Sequence, residues 1–354
     1  MKRILTFNVG SSSVKWQILE DLKPVDSGYV ERVTSQKKRK QVIEHVFKKV
    51  KDVDAISHRI VHGGSITKPK KVTASLVKQL KKIAELAPLH NIPEIEVIEQ
   101  CLKHTKKPQI AVFDTAFHQS MPDKAAAYGL PYKYYQKGIR RYGFHGISHE
   151  YISRGLSGKV ITCHLGSGCS VTAINDGKSI DTSMGFTPLE GVIMGTRSGS
   201  LDPAIIPYLM HHEKLSIEKI RHMLQFESGW YGVSGVSKDF RDLLKNKSKR
   251  SKLAVDMFVY QIAKQIGAYV AALNGCDTLV FAAGITERNP LVRRKILNQL
   301  TYLGIDIDAN KNRRNAFCIS TEHSKIRVLV IHTNEEQAMA KKVYKVLQWK
   351  EPQR

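Results

Sequence analysis

The chain has 354 residues, with 56 Lys plus Arg against 32 Asp plus Glu, a net charge of +24. That length suggests about two domains, and a hydrophobic content of 42% argues against disorder. No apolar run reaches the roughly 18 residues of a membrane span, and only two apolar residues follow Met1-Lys2-Arg3 before Thr6, too few for a signal-peptide core. Cys101, Cys163, Cys169, Cys276 and Cys318 are scattered, odd in number and without CxxC spacing. They read as reduced thiols of a cytosolic protein rather than a disulfide framework or a zinc site. The positive surplus favours anionic partners. Its clusters, Lys37 to Lys40, Lys68 to Lys71 and Lys245 to Lys252, lack interleaved aromatic residues. They read as solvated loops, which argues against nucleic acid as a partner.

The first element, Ile4 to Val9, breaks into Gly10-Ser11-Ser12-Ser13 and resumes with Val14, Trp16 and Ile18 in alternation. This is a β-hairpin with a small-residue turn. A third strand is expected from Gly28 to Val33, then a basic helix from about Ser35 to Val50. Ala55 to Val61 reads as a buried strand broken by His62-Gly63-Gly64, and Arg59 inside it needs a partner or a ligand. A helix is expected from about Ala74 to Leu86, a loop over Ala87 to Asn91, and a helix from Pro93 to Leu102. Gln109 to Phe113 is a short strand ending in Asp114, a place where ligands collect in α/β proteins. A Tyr- and Pro-rich segment leads to Arg140 to His149, where glycines closely flank His145 on both sides.

The second half opens with the same pattern. Val160 to Leu165 breaks into Gly166-Ser167-Gly168 and resumes with Val171 and Ala173. The two hairpins share Thr6/Thr162, Gly10/Gly166 and Ser11/Ser167. Neighbouring N–H groups in such turns form an anion-binding concavity, and two of them could grip a polyphosphate from two sides. Arg197 follows among small residues, an arrangement suited to an oxyanion. Helices are expected over Ile217 to Leu224 and Leu253 to Leu273, a strand at Leu279 to Phe281 and a helix starting near Pro290. A last strand, Arg327 to Ile331, enters a final helix through Thr333-Asn334-Glu335-Glu336. The pattern is α/β, two ribonuclease-H-like domains of duplicated βββαβαβα type with an active-site cleft between them. The expected boundaries are 1-148 plus 335-354 for the first domain and 149-334 for the second.

Six motifs, in order and over nearly the whole chain, resemble acetate kinases. They are Asn8 to Lys15, His58 to Gly64, Phe113 to Pro122, Gly138 to His149, Thr182 to Gly199 and Thr333 to Glu336. The resemblance implies reversible phosphoryl transfer between ATP and acetate, giving acetyl phosphate and ADP, with Mg²⁺ or Mn²⁺ as cofactor and a homodimeric assembly. By motif, Asn8 and Glu335 are the metal-site residues, oxygen donors suited to a hard cation that keeps its waters. Arg59 and Arg197 bind the carboxylate and the transferring phosphoryl oxygens. His145 donates to the equatorial oxygens, and Asp114 orients an arginine or places the substrate. Val61, Leu89, Phe144 and Pro188 form the methyl pocket. On the nucleotide side stand Ser12 and Lys15 in the first hairpin and His164, Leu165, Gly166, Ser167 and Gly168 in the second. Asp239, Phe240, Arg241, Gly284, Ile285 and Thr286 hold the nucleoside.

The chain departs from the family pattern in three ways. Ser167 replaces an Asn, Gly284 to Asn289 carries a Thr for Gly and one inserted residue, and loops before Arg59 and Arg327 are short. Propionate or butyrate is an alternative acyl group, since one methylene is worth only about 1–3 kcal/mol. A catalytically impaired basic binding protein on the same scaffold is a second alternative.

Overall fold

The structure, a computed structural model, describes residues 1–10, 12–50 and 52–352. Ser11 of the first turn, and Gln353 and Arg354 at the end of the first domain's C-terminal segment, lie outside the described residues. The chain divides into two compact units. Unit 1 comprises Met1–Gln119, Phe144–Tyr151 and Asn334–Arg354, and unit 2 comprises Ser120–Gly143 and Ile152–Thr333. The segment 120–143, assigned to the first half on sequence order, therefore clusters with unit 2. Tyr142 and Gly143 donate their backbone N–H groups to Gly185 O there, and Arg141 Nη1 donates to three consecutive carbonyls, Thr182, Ser183 and Met184.

Unit 1 is built on a mixed sheet of β1 (Arg3–Val9), β2 (Ser13–Glu20), β3 (Lys23–Glu31), β4 (Ala55–Ile60), the two-residue β5 (Lys70–Lys71) and β6 (Gln109–Phe113). Their order is β3-β2-β1-β4-β6-β5. β1 and β2 form the expected hairpin, with Asn8 opposite Lys15 and Val9 opposite Val14. The turn closes through Gly10 N–H to Ser13 O at 2.8 Å. β3 begins five residues before its predicted start, because the β2–β3 pairing runs back to Glu20 opposite Lys23. Alternation along β1 serves two faces. Leu5, Phe7 and Val9 pack against helices α1 (Gln36–Lys49) and α3 (Pro88–His104) through Ile43, Val46, Val97 and Cys101. Ile4 turns the other way, to Met339, Val343 and Tyr344 of the final helix Glu335–Val346. α2 (Ala74–Ile83) covers the end of the sheet with Leu76 and Leu80 against Ile60 and Phe113.

One local expectation failed. Ala87 to Asn91 is not a loop, because α3 starts at Pro88. Pro88 occupies the first turn, where no N–H is needed. Pro93 lies inside the helix and withholds only one bond, and burial of Ile95, Val97, Ile98 and Cys101 outweighs it.

Unit 2 repeats the plan with β7 (Lys159–Leu165), β8 (Cys169–Asn175), β9 (Lys178–Thr182), β10 (Thr278–Ala282) and β11 (Arg327–Val330), in the order β11-β10-β7-β8-β9. Setting aside the two-residue β5, which pairs antiparallel with β6 at the sheet edge, both sheets run third, second, first and fourth strand and then the next long strand, with the second antiparallel to its neighbours and the rest parallel. That shared order is the ribonuclease-H-like plan used twice. Helix α4 (Lys249–Leu273) starts four residues before its expected first residue, since Ser248 caps it by accepting from Ser251 N–H. It buries Phe258, Ile262, Ile266 and Tyr269. α5 (Pro290–Leu297) begins at the predicted Pro290. Among the described residues, no helix is long and apolar enough to cross a membrane.

Candidate active site

In unit 1 the strand ends converge on a charged network. Asn8 stands near the end of β1, Arg59 near the end of β4 and Asp114 just past β6. Glu335 opens the final helix, which Asn334 caps by accepting from Gln337 N–H at 2.9 Å. A carboxylate in that first turn is favoured by the helix dipole. Arg59 is the hub. Its Nε and Nη2 both donate to Asp114 Oδ2, at 3.1 and 2.6 Å, and its Nη1 donates to Asn8 Oδ1 at 2.9 Å. Glu335 Oε2 lies 3.8 Å from the same Nη1 and accepts from Asn8 Nδ2 at 3.1 Å. Burial works against the Arg59 charge, but Asp114 and Glu335 outweigh it and hold its pKa above that of an ordinary arginine. Burial raises the Asp114 carboxyl, and Arg59 opposes that shift.

His145 is placed by unusual backbone. Its φ is 56°, a left-handed conformation that costs energy for any residue with a Cβ. Gly146 explains the need. A Cβ there would lie 2.0 Å from the Asp114 carbonyl oxygen, so only glycine lets this backbone pass so close to Asp114. His118 secures the preceding residue, with its Nε2 3.0 Å from Phe144 O. Burial lowers the His118 pKa to about 4, so the ring is neutral and Nε2–H is the donor.

Of the predicted methyl-pocket residues, Val61 and Phe144 are buried in unit 1, and Phe144 meets the His62 ring edge-on at 5.5 Å. Leu89 is 38% exposed on the first turn of α3. Pro188 and Arg197 belong to unit 2, where Arg197 Nη1 donates to Pro188 O at 2.8 Å. Lys15 is already paired, at 2.7 Å, with Glu336, and Ser12 is exposed beside the hairpin turn.

The unit 2 hairpin turn closes through Gly166 N–H to Gly168 O at 3.0 Å. Ser167 is exposed, and its carbonyl accepts from Gly195 N–H at 3.1 Å, which ties the turn to the segment leading to Arg197. His164 and Leu165 end β7 beside it. Beyond β10, Ala283 has a φ of 64° and Gly284 to Glu287 form one short helical turn. Gly284 is exposed and Ile285 half-buried, but Thr286 is turned inward, its hydroxyl donating to Ala282 O at 2.9 Å. The expected nucleoside residues Asp239 to Arg241 divide in the same way. Asp239 caps a short helix and pairs with Arg241, whereas the Phe240 ring is buried against Trp230 and Phe258. Phe240 serves the core with its side chain.

Several supporting residues escaped the sequence reading. Glu94 and Asn91 hold the turn after β4. Glu287 accepts from Ala283 N–H at 2.6 Å and Thr333 N–H at 3.1 Å, fixing the ends of two strands. Buried Arg293 donates to Thr286 O and Glu287 O beneath the same loop. The available signal was a charged residue among the apolar positions of a helix, as with Glu94 and Arg293.

Asn8 and Glu335 form a donor pair suited to a cation. Both offer oxygen, and they lie within hydrogen-bonding distance of each other. Among the described residues no group of three or more His, Cys, Asp or Glu is arranged to hold a metal. Those features fit a hard ion held by few protein ligands and its own waters, and they do not fit a zinc-type cage.

The chain is similar to known proteins over nearly its whole length. The acetokinase family model matches residues 40–341. A curated acetate kinase of Thermoanaerobacterium thermosaccharolyticum is 44% identical, covering 98% of this chain and 99% of the relative. That alignment spans 396 residues against the 354 of this chain, so the shorter loops are internal. A propionate kinase structure from Francisella tularensis superposes with a TM-score of 0.89 at 36% identity, covering 97% of this chain and 99% of that one. An acetate kinase structure from Porphyromonas gingivalis does so with a TM-score of 0.87 at 34% identity, covering 98% and 100%. With the match extending over most of the sequence, this chain belongs to the acetokinase family.

Proposed function

We propose that this protein catalyses reversible phosphoryl transfer between ATP and acetate, giving acetyl phosphate and ADP. The observation that carries the reading is the Arg59 network of Asn8, Asp114 and Glu335 in a chain of this family. The acetate carboxylate is ionised at neutral pH and needs no general base. One of its oxygens forms a bond to the γ-phosphorus while the bond from that phosphorus to the β,γ-bridging oxygen breaks, and ADP leaves with the electron pair. Catalysis then rests on in-line positioning and charge stabilisation.

In unit 1, Arg59 receives the carboxylate, and Asp114 fixes the plane of its guanidinium. His145 donates to the equatorial oxygens of the transferring group. Val61, Leu89 and Phe144 bound the methyl group. In unit 2, Arg197 stabilises phosphoryl oxygens, and the turn from His164 to Gly168 binds phosphate through its N–H groups. The exposed parts of Asp239, Arg241, Gly284 and Ile285 hold the nucleoside. Ser12 and Lys15 assist the phosphates from the first hairpin turn. Asn8 and Glu335 would hold Mg²⁺, with Mn²⁺ as a substitute, and the ion would supply charge neutralisation at the phosphates. The domain roles follow, acyl acid and metal on unit 1 and nucleotide on unit 2.

Two further assignments belong to this reading. Five cysteines without a disulfide support a cytoplasmic setting. The short helix Ile205–His212 buries none of its residues and exposes Ile205, Tyr208 and Met210, which supports a homodimer.

The test is a coupled assay with ATP, Mg²⁺ and acetate, trapping the product as its hydroxamate. Wild-type protein forms acetyl phosphate, and Arg197→Ala loses at least about 100-fold in kcat. Normal turnover in that variant would sink the assignment. The propionate kinase relative gives a second acyl reading a concrete basis. Ratios of kcat/KM for acetate, propionate and butyrate decide between them.

A further inference from the structure

Glu94 has no role in the reading above, yet it is 1% exposed, among the most buried charged side chains of unit 1. It sits in α3 with both carboxyl oxygens directed at one donor, the Val61 backbone N–H, at 3.0 and 3.3 Å. Three residues earlier, Asn91 holds the next peptide. Its Oδ1 accepts from His62 N–H at 3.1 Å and its Nδ2 donates to His62 O at 2.8 Å. Two side chains of one helix thus clamp the turn that leaves β4, two residues beyond Arg59.

The charges around this clamp are unbalanced. Asp114 and Glu335 already face the Arg59 guanidinium. An ionised Glu94 would be a third carboxylate acting on it, and Glu94 interacts electrostatically with both Arg59 and Asp114. Arg39 of α1 is engaged with Glu96 and Val33 O, and His62 accepts at Nδ1 from Gly64 N–H. A substrate carboxylate arriving at Arg59 would meet one more negative neighbour whenever Glu94 is ionised. Burial raises the Glu94 carboxyl to about 8, with the Val61 N–H and Arg59 pulling against it. Burial thus favours its protonated form at neutral pH.

We propose that Glu94 is a positioning residue with a proton switch, which holds the Val61 amide and admits the acyl carboxylate to Arg59 when protonated, and repels that carboxylate when ionised. The inference rests on the assignment of Arg59 to the acyl acid made above. It names a control on acid binding alone, separate from the nucleotide. The sign is fixed by charge: loss of the proton raises KM for the acid, and loss of the acid favours ionisation.

The test is KM for acetate, KM for ATP and kcat between roughly pH 6.5 and pH 9.5, on the full chain and on Glu94→Gln, which keeps an acceptor for Val61 but cannot ionise. Wild-type KM for acetate rises about tenfold between pH 7 and pH 9, the linkage factor for one group of pKa about 8. KM for ATP does not follow, and the acetate profile of E94Q is flat. An acetate profile in E94Q that matches wild type overturns the switch and leaves the function standing. A wild-type protein that phosphorylates no short acid overturns both. Should E94Q not fold, ¹³C carboxyl NMR of the wild type decides. A glutamate carboxyl that titrates near pH 8 and moves higher on adding acetate supports the switch, and none titrating above pH 7 overturns it.

Discussion

The two units share a strand order but solve the problem of holding a reactive group in opposite ways. Unit 1 uses charge against charge. Arg59 is fixed by two bonds to one oxygen of a buried carboxylate and by a third to Asn8. Unit 2 uses backbone. Arg197 donates to a proline carbonyl, and the turns around it are tied by backbone hydrogen bonds from Gly195 N–H to Ser167 O and from Met194 N–H to Arg197 O. A buried ion pair is costly to break because it strands a charge, whereas losing one bond to a carbonyl costs little. Duplication of a fold therefore does not duplicate its energetics.

The sharpest way to break this contrast is to remove each arginine and measure stability as well as turnover. Arg59→Ala leaves Asp114 buried without its cation and is expected to cost about 3–5 kcal/mol in denaturant unfolding. It should also lose at least about 1,000-fold in kcat/KM. Arg197→Ala should cost less stability than Arg59→Ala while also losing activity. Equal destabilisation by the two variants would show that the contrast is wrong.

A smaller effect concerns acid. Burial lowers the pKa values of His58 and His118 to about 4, and both histidines lie in unit 1. Each folded pKa lies below the unfolded value of 6.5, so the stabilisation is complete above pH 6.5 and is lost as pH falls toward 4. The loss per histidine is up to about 3 kcal/mol. Glu94 acts with the opposite sign, since its raised carboxyl costs stability as pH climbs from 4.5 to about 8. The histidine term is therefore read as the difference between wild type and His58→Gln across this range. Identical acid slopes for the two proteins would remove His58 from the account.

The smallest expected effect tests the unit 2 turn. Ser167 is exposed and is held through its backbone carbonyl. If the turn binds phosphate by N–H groups, Ser167→Asn should change KM for ATP by less than about threefold. A change beyond tenfold would show that the side chain at this position governs nucleotide affinity.

Periodicity and small-residue turns were enough to read the two hairpins, the burial of Val14, Trp16 and Ile18, and the repeat of one plan, because these features are local. The helix start at Pro88 was not legible. Pro93 is a strong local stop signal, and only packing of Ile95 and Ile98 beneath α2 overrides it. The motifs likewise pointed to Asn8, Arg59, Asp114 and Glu335 as a set, without saying which atoms meet.

By itself, the sequence determined the α/β class, the duplication and the chemistry on offer: guanidinium, carboxylate, imidazole and glycine-rich turns in a fixed order. Tertiary structure alone decided that Arg59 spends two donors on one Asp114 oxygen, that Phe240 and Thr286 face inward and that Glu94 reaches the Val61 amide. The physical reason is range. Turn and strand preferences act over a few residues, whereas burial and ion pairing join positions as far apart as Asn8 and Glu335, and only folding sets those distances.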